Sequence, residues 1–337
     1  MTNTAVVILN YNGSELLQKF LPSVIQHSTG ARIVVADNGS TDNSIEILTK
    51  EFPSIELISI GANLGFCGGY NYALRNIREA YSVLLNSDVE VTAGWLVPLV
   101  NQLDGNPKAA AAQPKILSYH QKHLFEYAGA AGGFVDSLGY PFCRGRLFYY
   151  IEEDHGQYNN TMEVFWASGA CLMIRTKLFQ EMGGLDEDFF AHMEEIDLCW
   201  RLQRAGHRIV YEGRSKVYHV GGGTLAVSNP YKTYLNFKNG LSLIYKNLPA
   251  GELAVKFPVR IVLDWVASLK FALSGSFQDG RSVIRAHRHF FGNWGKEIKR
   301  RKATAKLGYS KLASQYHGLI VWDFFISGKR KYSQLKP

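Results

Sequence analysis

Long apolar runs are missing from this 337-residue chain, so a conventional membrane-spanning helix is not expected. Cysteine is scarce: Cys67, Cys143, Cys171 and Cys199 stand far apart, with no CxxC pair and no dense framework. That spacing excludes a disulfide-stapled secreted module and reads as reduced, buried thiols in a cytosolic compartment. The 10 prolines are thinly spread, and 46% apolar against 20% charged residues excludes wholesale disorder and predicts a sizeable core. The first residues carry no basic segment and run straight into a strand-like stretch, so no signal peptide is expected.

Acidic residues are scarce in one region only. Residues 1–231 hold 17 Lys and Arg against 24 Asp and Glu, whereas residues 232–337 hold 20 against 5. The formal charge of +8 therefore averages an acidic part and a strongly basic one. Such asymmetry predicts two jobs, with the basic part facing something anionic.

The first hundred residues alternate short β-rich runs with helical patterns. Residues 5–9, 31–36, 55–60 and 81–85 read as strands; the segments 14–27, 42–50 and 69–80 read as helices, the first with Leu16, Leu17, Phe20, Leu21, Val24 and Ile25 on one face. Repeated βα units predict an α/β fold with a mostly parallel, Rossmann-like sheet flanked by helices, and ligands in such sheets bind beyond the carboxyl ends of the strands. The four strand ends are all polar: Asn10 to Gly13, Asp37 to Asp42, Asn63 with Gly65, and Asn86-Ser87-Asp88. Each alone is an ordinary turn. Four together predict a shared ligand site. The middle, residues 113–160, is poorly periodic and glycine-rich, and reads as loops and hairpins or an acceptor-facing insertion.

Asp88, ending a buried strand, has the chemistry to hold a divalent cation on phosphates, which needs only one or two protein carboxylates. Glu194, Glu195 and Asp197 crowd the start of a helix, where the dipole accounts for some acidity but not readily for three carboxylates. Glu194 and Asp197 share a helix face and Glu195 projects elsewhere, which allows one carboxylate to take a proton from an attacking hydroxyl. His219, before Gly221, Gly222 and Gly223, offers an imidazole ligand beside backbone open to a phosphate.

In chain order, residues 6–12 (VVILNYN), 34–42 (VVADNGSTD), 63–66 (NLGF) with Gly69 and Asn71, 85–89 (LNSDV), 169–175 (GACLMIR), 184–190 (GLDEDFF), 194–201 (EEIDLCWR) and 219–224 (HVGGGT) resemble the family-2 glycosyltransferases. These are inverting enzymes of the GT-A fold, and the pattern resembles their bacterial rhamnosyltransferase-like branch. The resemblance covers about residues 4–225. It implies a nucleoside-diphosphate sugar donor, UDP- or dTDP-linked, with Asn10, Asn12, Asp37 and Asn38 on the base and ribose, and Asn63, Gly65 and Ser87 lining the pocket. It further implies Mn²⁺ or Mg²⁺ held by Asp88 and His219, and Glu195 as the base, with Glu194 and Asp197 as rivals. Two departures stand out: the family's first metal-site acid is Asn86 here, and the base position carries Glu where Asp is commoner. The Gln-x-x-Arg-Trp motif of processive members is absent, which implies one sugar added per encounter.

Competing classes fit less well. A sugar nucleotidyltransferase, the enzyme alternative, needs a Gly-rich basic loop that residues 10–13 do not supply, and residues 65–69 do not give a dehydrogenase's GxGxxG. A catalytically silent nucleotide-binding membrane scaffold is the non-enzyme alternative.

Residues 1–230 are thus expected to form the catalytic domain, and residues 231–337 a basic helical appendage. Within the latter, residues 249–275 are mostly apolar, with Lys256, Arg260, Asp264 and Ser268 recurring every fourth residue. Pro258 marks a first turn or kink. Followed by Arg281, Arg285 and Arg288, such a helix suits a bilayer interface. No helix-turn-helix, zinc-finger or RNP-like pattern accompanies the basic charge, so a nucleic-acid partner is not expected. The expectation is a cytoplasmic protein, peripheral on the inner face of the cell membrane, extending a glycan or lipid-linked acceptor for cell-surface polysaccharide.

Overall fold

The computed structural model describes residues 3–221, 229–310, 312 and 314–335. Alternating apolar runs and helices resolve into β1 (Thr4–Asn10), α1 (Ser14–His27), β2 (Arg32–Asp37), α2 (Ser44–Glu51), β3 (Glu56–Ser59), α3 (Gly65–Leu74) and β4 (Tyr81–Asn86). The chain continues through β5 (Val89–Val91), α4 (Leu96–Gly105) and β6 (Ala109–Ser118). Next come four short strands, β7 (Gly133–Val135), β8 (Pro141–Cys143), β9 (Arg146–Leu147) and β10 (Tyr150–Ile151), which form their own small antiparallel sheet. Then follow β11 (Thr161–Val164), β12 (Cys171–Arg175), α5 (Thr176–Glu181), α6 (Glu194–Arg204) and β13 (Arg208–His219). The remainder is helical: α7 (Pro230–Asn247), α8 (Ala250–Leu273), α9 (Phe277–Gly292), α10 (Trp294–Ala305) and α11 (Ile320–Phe325).

The main sheet runs β11-β13-β6-β12-β4-β1-β2-β3, with β5 also beside β13. β1, β2, β3 and β4 pair in parallel, as do β6 and β13, whereas β12 runs against both β4 and β6. The sheet is therefore mostly parallel over its βα units, as those repeats predict, with antiparallel pairing at β5, β11 and β12. The apolar runs of β1 and β4 are buried on both faces, as helix-covered strands require. α1, α2 and α4 supply one layer of core, with Leu17, Leu48 and Leu99; α3, α6 and α7 supply the other, with Tyr70, Trp200 and Leu241. All four cysteines are buried and unpaired with one another.

Strand order reverses between β1 and β4: β2 and β3 extend to one side of β1 and the parallel β4 lies on the other. The crevice beyond their carboxyl ends is the place such sheets offer a ligand. Helix α3 begins at Gly65, four residues earlier than its periodicity predicts, and the Asn63 side chain accepts from the Gly65 amide at 2.9 Å, satisfying one donor of the first turn.

Residues 231–324 do not stand apart from the sheet. Leu241, Ile244, Phe257, Phe290 and Phe324 belong to the same buried cluster as Val7, Val34 and Leu198. The every-fourth-residue polar stripe of α8 faces inward: Arg260, Asp264 and Ser268 are buried. Asp264 accepts from Arg260 at 2.8 Å and from Tyr140 at 3.2 Å, and faces His287 at 3.3 Å. The apolar side of α8 is turned out. Among the described residues no helix is long and apolar enough to cross a membrane.

Candidate active site

The crevice floor is built by β1, β2 and the loop before α3. Asn10 donates to Asp37 and to Ser40 Oγ, both at 3.2 Å, and Asp37 accepts the Ser40 amide at 3.0 Å. Asn38 donates to Asn63 and to the Gly65 carbonyl at 3.1 Å and accepts the Leu64 amide at 3.0 Å. Asn10, Asp37 and Asn38 are almost wholly buried and so tie the loops together behind the pocket wall. Asn12, Asn63 and Ser87 reach the surface. Asn12 adopts φ 50° and accepts the Thr41 amide at 2.7 Å. A Cβ on Gly13 would fall 2.5 Å from Asn10 Oδ1, so only glycine lets the chain pass over this floor.

β4 and β13 bring Asp88 and His219 together, as β13 pairs with β5 immediately after Asp88. His219 Nε2 lies 3.1 Å from Asp88 Oδ1, and its Nδ1 lies 3.4 Å from Glu126. Burial alone would lower the imidazole's pKa, but Glu126 and Asp88 outweigh it and hold it up to about 10. Burial would raise Asp88, yet the His219 contact keeps it below the usual carboxylate range. Glu126 gives no signal in sequence, being a lone acid in the poorly periodic middle. Gly222, Gly223 and Thr224 lie outside the described residues.

This pair would fit a divalent cation once the ion displaces the proton that Asp88 and Glu126 hold on His219. Oδ1 and Nε2 converge at the roughly 3 Å that neighbouring ligands of an octahedral cation keep. Nδ1, buried without a hydrogen bond among the described residues, faces a carboxylate that would fix the ring. Among the described residues no group of three or more acidic, His or Cys side chains is arranged to hold an ion by itself, so phosphates would have to complete the shell.

The three acids at the start of α6 separate sharply. Asp197 is fully buried and accepts from Arg201 and Lys246 at 2.8 Å and from Asn247 at 2.9 Å. Burial opposes its charge, but Lys246 and Arg201 drive its pKa far down. Both carboxylate oxygens are engaged by cationic or amide donors, so Asp197 ties α6 to α7. Glu194 and Glu195 each keep one buried carboxylate oxygen with no partner among the described residues. Burial raises Glu195 to about 7, and burial together with the charge of Glu195 holds Glu194 well above the usual carboxylate range.

The segment before α6 is strained: Phe190, His192 and Met193 have φ of 64°, 67° and 73°. Side chains other than glycine rarely adopt that region, and such strain gathers at functional sites. The Phe190 ring rests on Gly65, and Asn71 of α3 holds Leu185 through two 2.8 Å hydrogen bonds. Gly169 abuts both Phe66 and the Cβ of Glu195, and the next carbonyl, Ala170, accepts the Asn86 amide at 3.0 Å. The crevice floor, the Asp88 strand end and Glu195 are thus stitched into one site. His192, also missed in sequence, is pushed down to about 4 by burial and by Lys232.

A helix-covered mixed sheet with its crevice at this switch point, an acid at the end of β4 and acids at the start of α6 define the GT-A glycosyltransferase class. The chain belongs to glycosyl transferase family 2, whose model matches residues 5–183, and is a transferase of glycan or polysaccharide synthesis. It is 28% identical over 230 residues to the N-acetylglucosaminyl-diphospho-decaprenol L-rhamnosyltransferase of Mycobacterium tuberculosis, covering 64% of this chain and 75% of that one. Its fold is similar to S. aureus TarS in complex with UDP-GlcNAc, with TM-score 0.56, 15% identity and coverage of 90% and 83%. It is also similar to GalNAc-T7 with UDP, GalNAc and Mn²⁺, with TM-score 0.55 and 16% identity over 72% of this chain and 47% of that one, so the chain spans about half of GalNAc-T7.

Proposed function

We propose that this protein moves one sugar, with inversion, from a UDP- or dTDP-linked donor to a hydroxyl of a glycan or lipid-linked acceptor. The observation that carries this reading is Glu195, whose unpartnered oxygen and pKa of about 7 suit a general base at neutral pH. Glu195 takes the acceptor hydroxyl's proton as that oxygen bonds to the anomeric carbon. The carbon's bond to the donor phosphate breaks on the opposite face, and its electron pair leaves with the nucleoside diphosphate. Asp88 and His219 would hold Mn²⁺ or Mg²⁺, which when bound supplies positive charge to the departing diphosphate. Asn12, Asn63 and Ser87 are the exposed polar groups that meet the nucleotide, on a frame set by Asn10, Asp37 and Asn38. The Mycobacterium tuberculosis relative's lipid-linked substrate and the outward apolar side of α8 support a place on the inner membrane face.

The test is Glu195→Gln in the full chain. Transfer is expected to fall about 10²–10⁴-fold with donor binding, read by thermal shift with UDP- and dTDP-sugars and Mn²⁺, unchanged. Unimpaired turnover would move the role to Glu194.

A further inference from the structure

Helix α9 presents Arg281, Ile284, Arg285 and Arg288 on one exposed face, at the i, i+3, i+4, i+7 spacing of neighbours on a helix. With His289 they line an open cleft of about 500 Å³. Elsewhere in the helical region, Arg260 is neutralised by Asp264 and Arg300 by Asp186. Among the described residues no ion pair forms on Arg281, Arg285 or Arg288; Arg285 lies instead over the Tyr234 ring at 4.5 Å. Like charges so spaced on a helix repel, and forked guanidinium donors match phosphate oxygens.

Two adjoining features say which anion. Beside α9, α8 turns Val262, Val266, Leu269 and Leu273 to solvent, with Leu273 80% and Leu269 60% exposed. Trp265, half-exposed, joins this apolar surface to α9 through His287, 5.5 Å away. On the other side, Tyr234 and Leu235 of α7 pack with Ala286 of α9 and with Ala191, which adjoins the strained loop carrying Glu194 and Glu195. Tyr234 is hydrogen-bonded to His289 at 3.0 Å. The arginine face thus lies between an acyl-compatible surface and the segment that carries the base.

We infer that Arg281, Arg285 and Arg288 bind the diphosphate of a lipid-linked acceptor while the outward side of α8 enters the acyl boundary of the bilayer. This rests on the reading that the acceptor is lipid-linked. The arginines fix the diphosphate at the membrane surface, and the sugar beyond it extends over the start of α7 toward Glu195. No bond to the diphosphate is made or broken.

The experiment is co-sedimentation of the full chain with three vesicle types: phosphatidylcholine alone, phosphatidylcholine with a polyprenyl diphosphate, and phosphatidylcholine with phosphatidylglycerol at matched charge. The polyprenyl diphosphate vesicles are expected to bind at least tenfold tighter than the charge-matched ones. Arg281→Gln, Arg285→Gln and Arg288→Gln together should erase that preference, at about fivefold to tenfold per arginine, with donor-induced thermal shift unchanged. Equal binding to both anionic vesicles would overturn the diphosphate assignment, and no binding to any vesicle would overturn the bilayer seat. Leu269→Ser with Val266→Ser should weaken binding to all three vesicles alike; no change would again refute the seat. Failure of the lipid-linked acceptor reading shows separately, as transfer to a water-soluble glycan and none to a polyprenyl-diphosphate sugar.

Discussion

Glu194 and Glu195 are adjacent carboxyls that do not titrate alike. Burial lifts both, and the charge of Glu195 adds to the rise of Glu194, whereas burial alone raises Glu195. A base with its pKa near 7 is inactive below it, so kcat/KM should rise with pH and level off above about 7. Glu194→Gln should leave that midpoint almost in place, because burial and not the charge of Glu194 is what raises Glu195. A midpoint moved by a full pH unit in Glu194→Gln, measured from initial rates at saturating metal, would show that the two share the proton instead. Asp197, two residues on, has the opposite electrostatics for a legible reason: Lys246 and Asn247 of α7 close on it. No local spacing announces a partner about fifty residues away. Glu126 was invisible for the same reason, its role being set by the return of β13 beside β5.

Between elements, the contact of Gly65 with Phe190 couples the first turn of α3 to the strained approach to α6. A Cβ at residue 65 would meet the Phe190 ring at 2.9 Å, and φ there is +70°. Gly65→Ala should therefore cost about 2–3 kcal/mol, from the left-handed backbone and the displaced ring together, measured by urea unfolding. Because the ring carries the 190–193 segment with it, kcat should fall further than donor affinity. Equal losses would confine the effect to the nucleotide pocket. The strands and helices of residues 4–86 were legible because period and turn chemistry are local. The direction of α8 was not. A stripe every fourth residue shows that one side differs from the rest, and its partners Leu138, Tyr140, Gly280 and His287, all outside the helix, turn that polar side inward.

The uneven charge of the chain acquires a structural meaning at the scale of the whole molecule. Part of the basic excess after residue 231 is spent on the acidic part: Lys246 on Asp186 and Asp197, Lys296 on Asp188, and Arg300 on Asp186. We propose that the two regions, so paired, unfold as one cooperative unit. Cutting the chain before Pro230 would strip Lys246 and Asn247 from a fully buried Asp197 and uncover the apolar cluster shared with Leu241, Ile244 and Phe290. Breaking one buried pair costs about 3–5 kcal/mol, a large share of the roughly 5–15 kcal/mol that holds a domain folded. Residues 1–229 alone should therefore aggregate or lack a cooperative transition, read by size exclusion and thermal circular dichroism. A monodisperse fragment that melts cooperatively and still binds a nucleotide sugar would restore the division at residue 230.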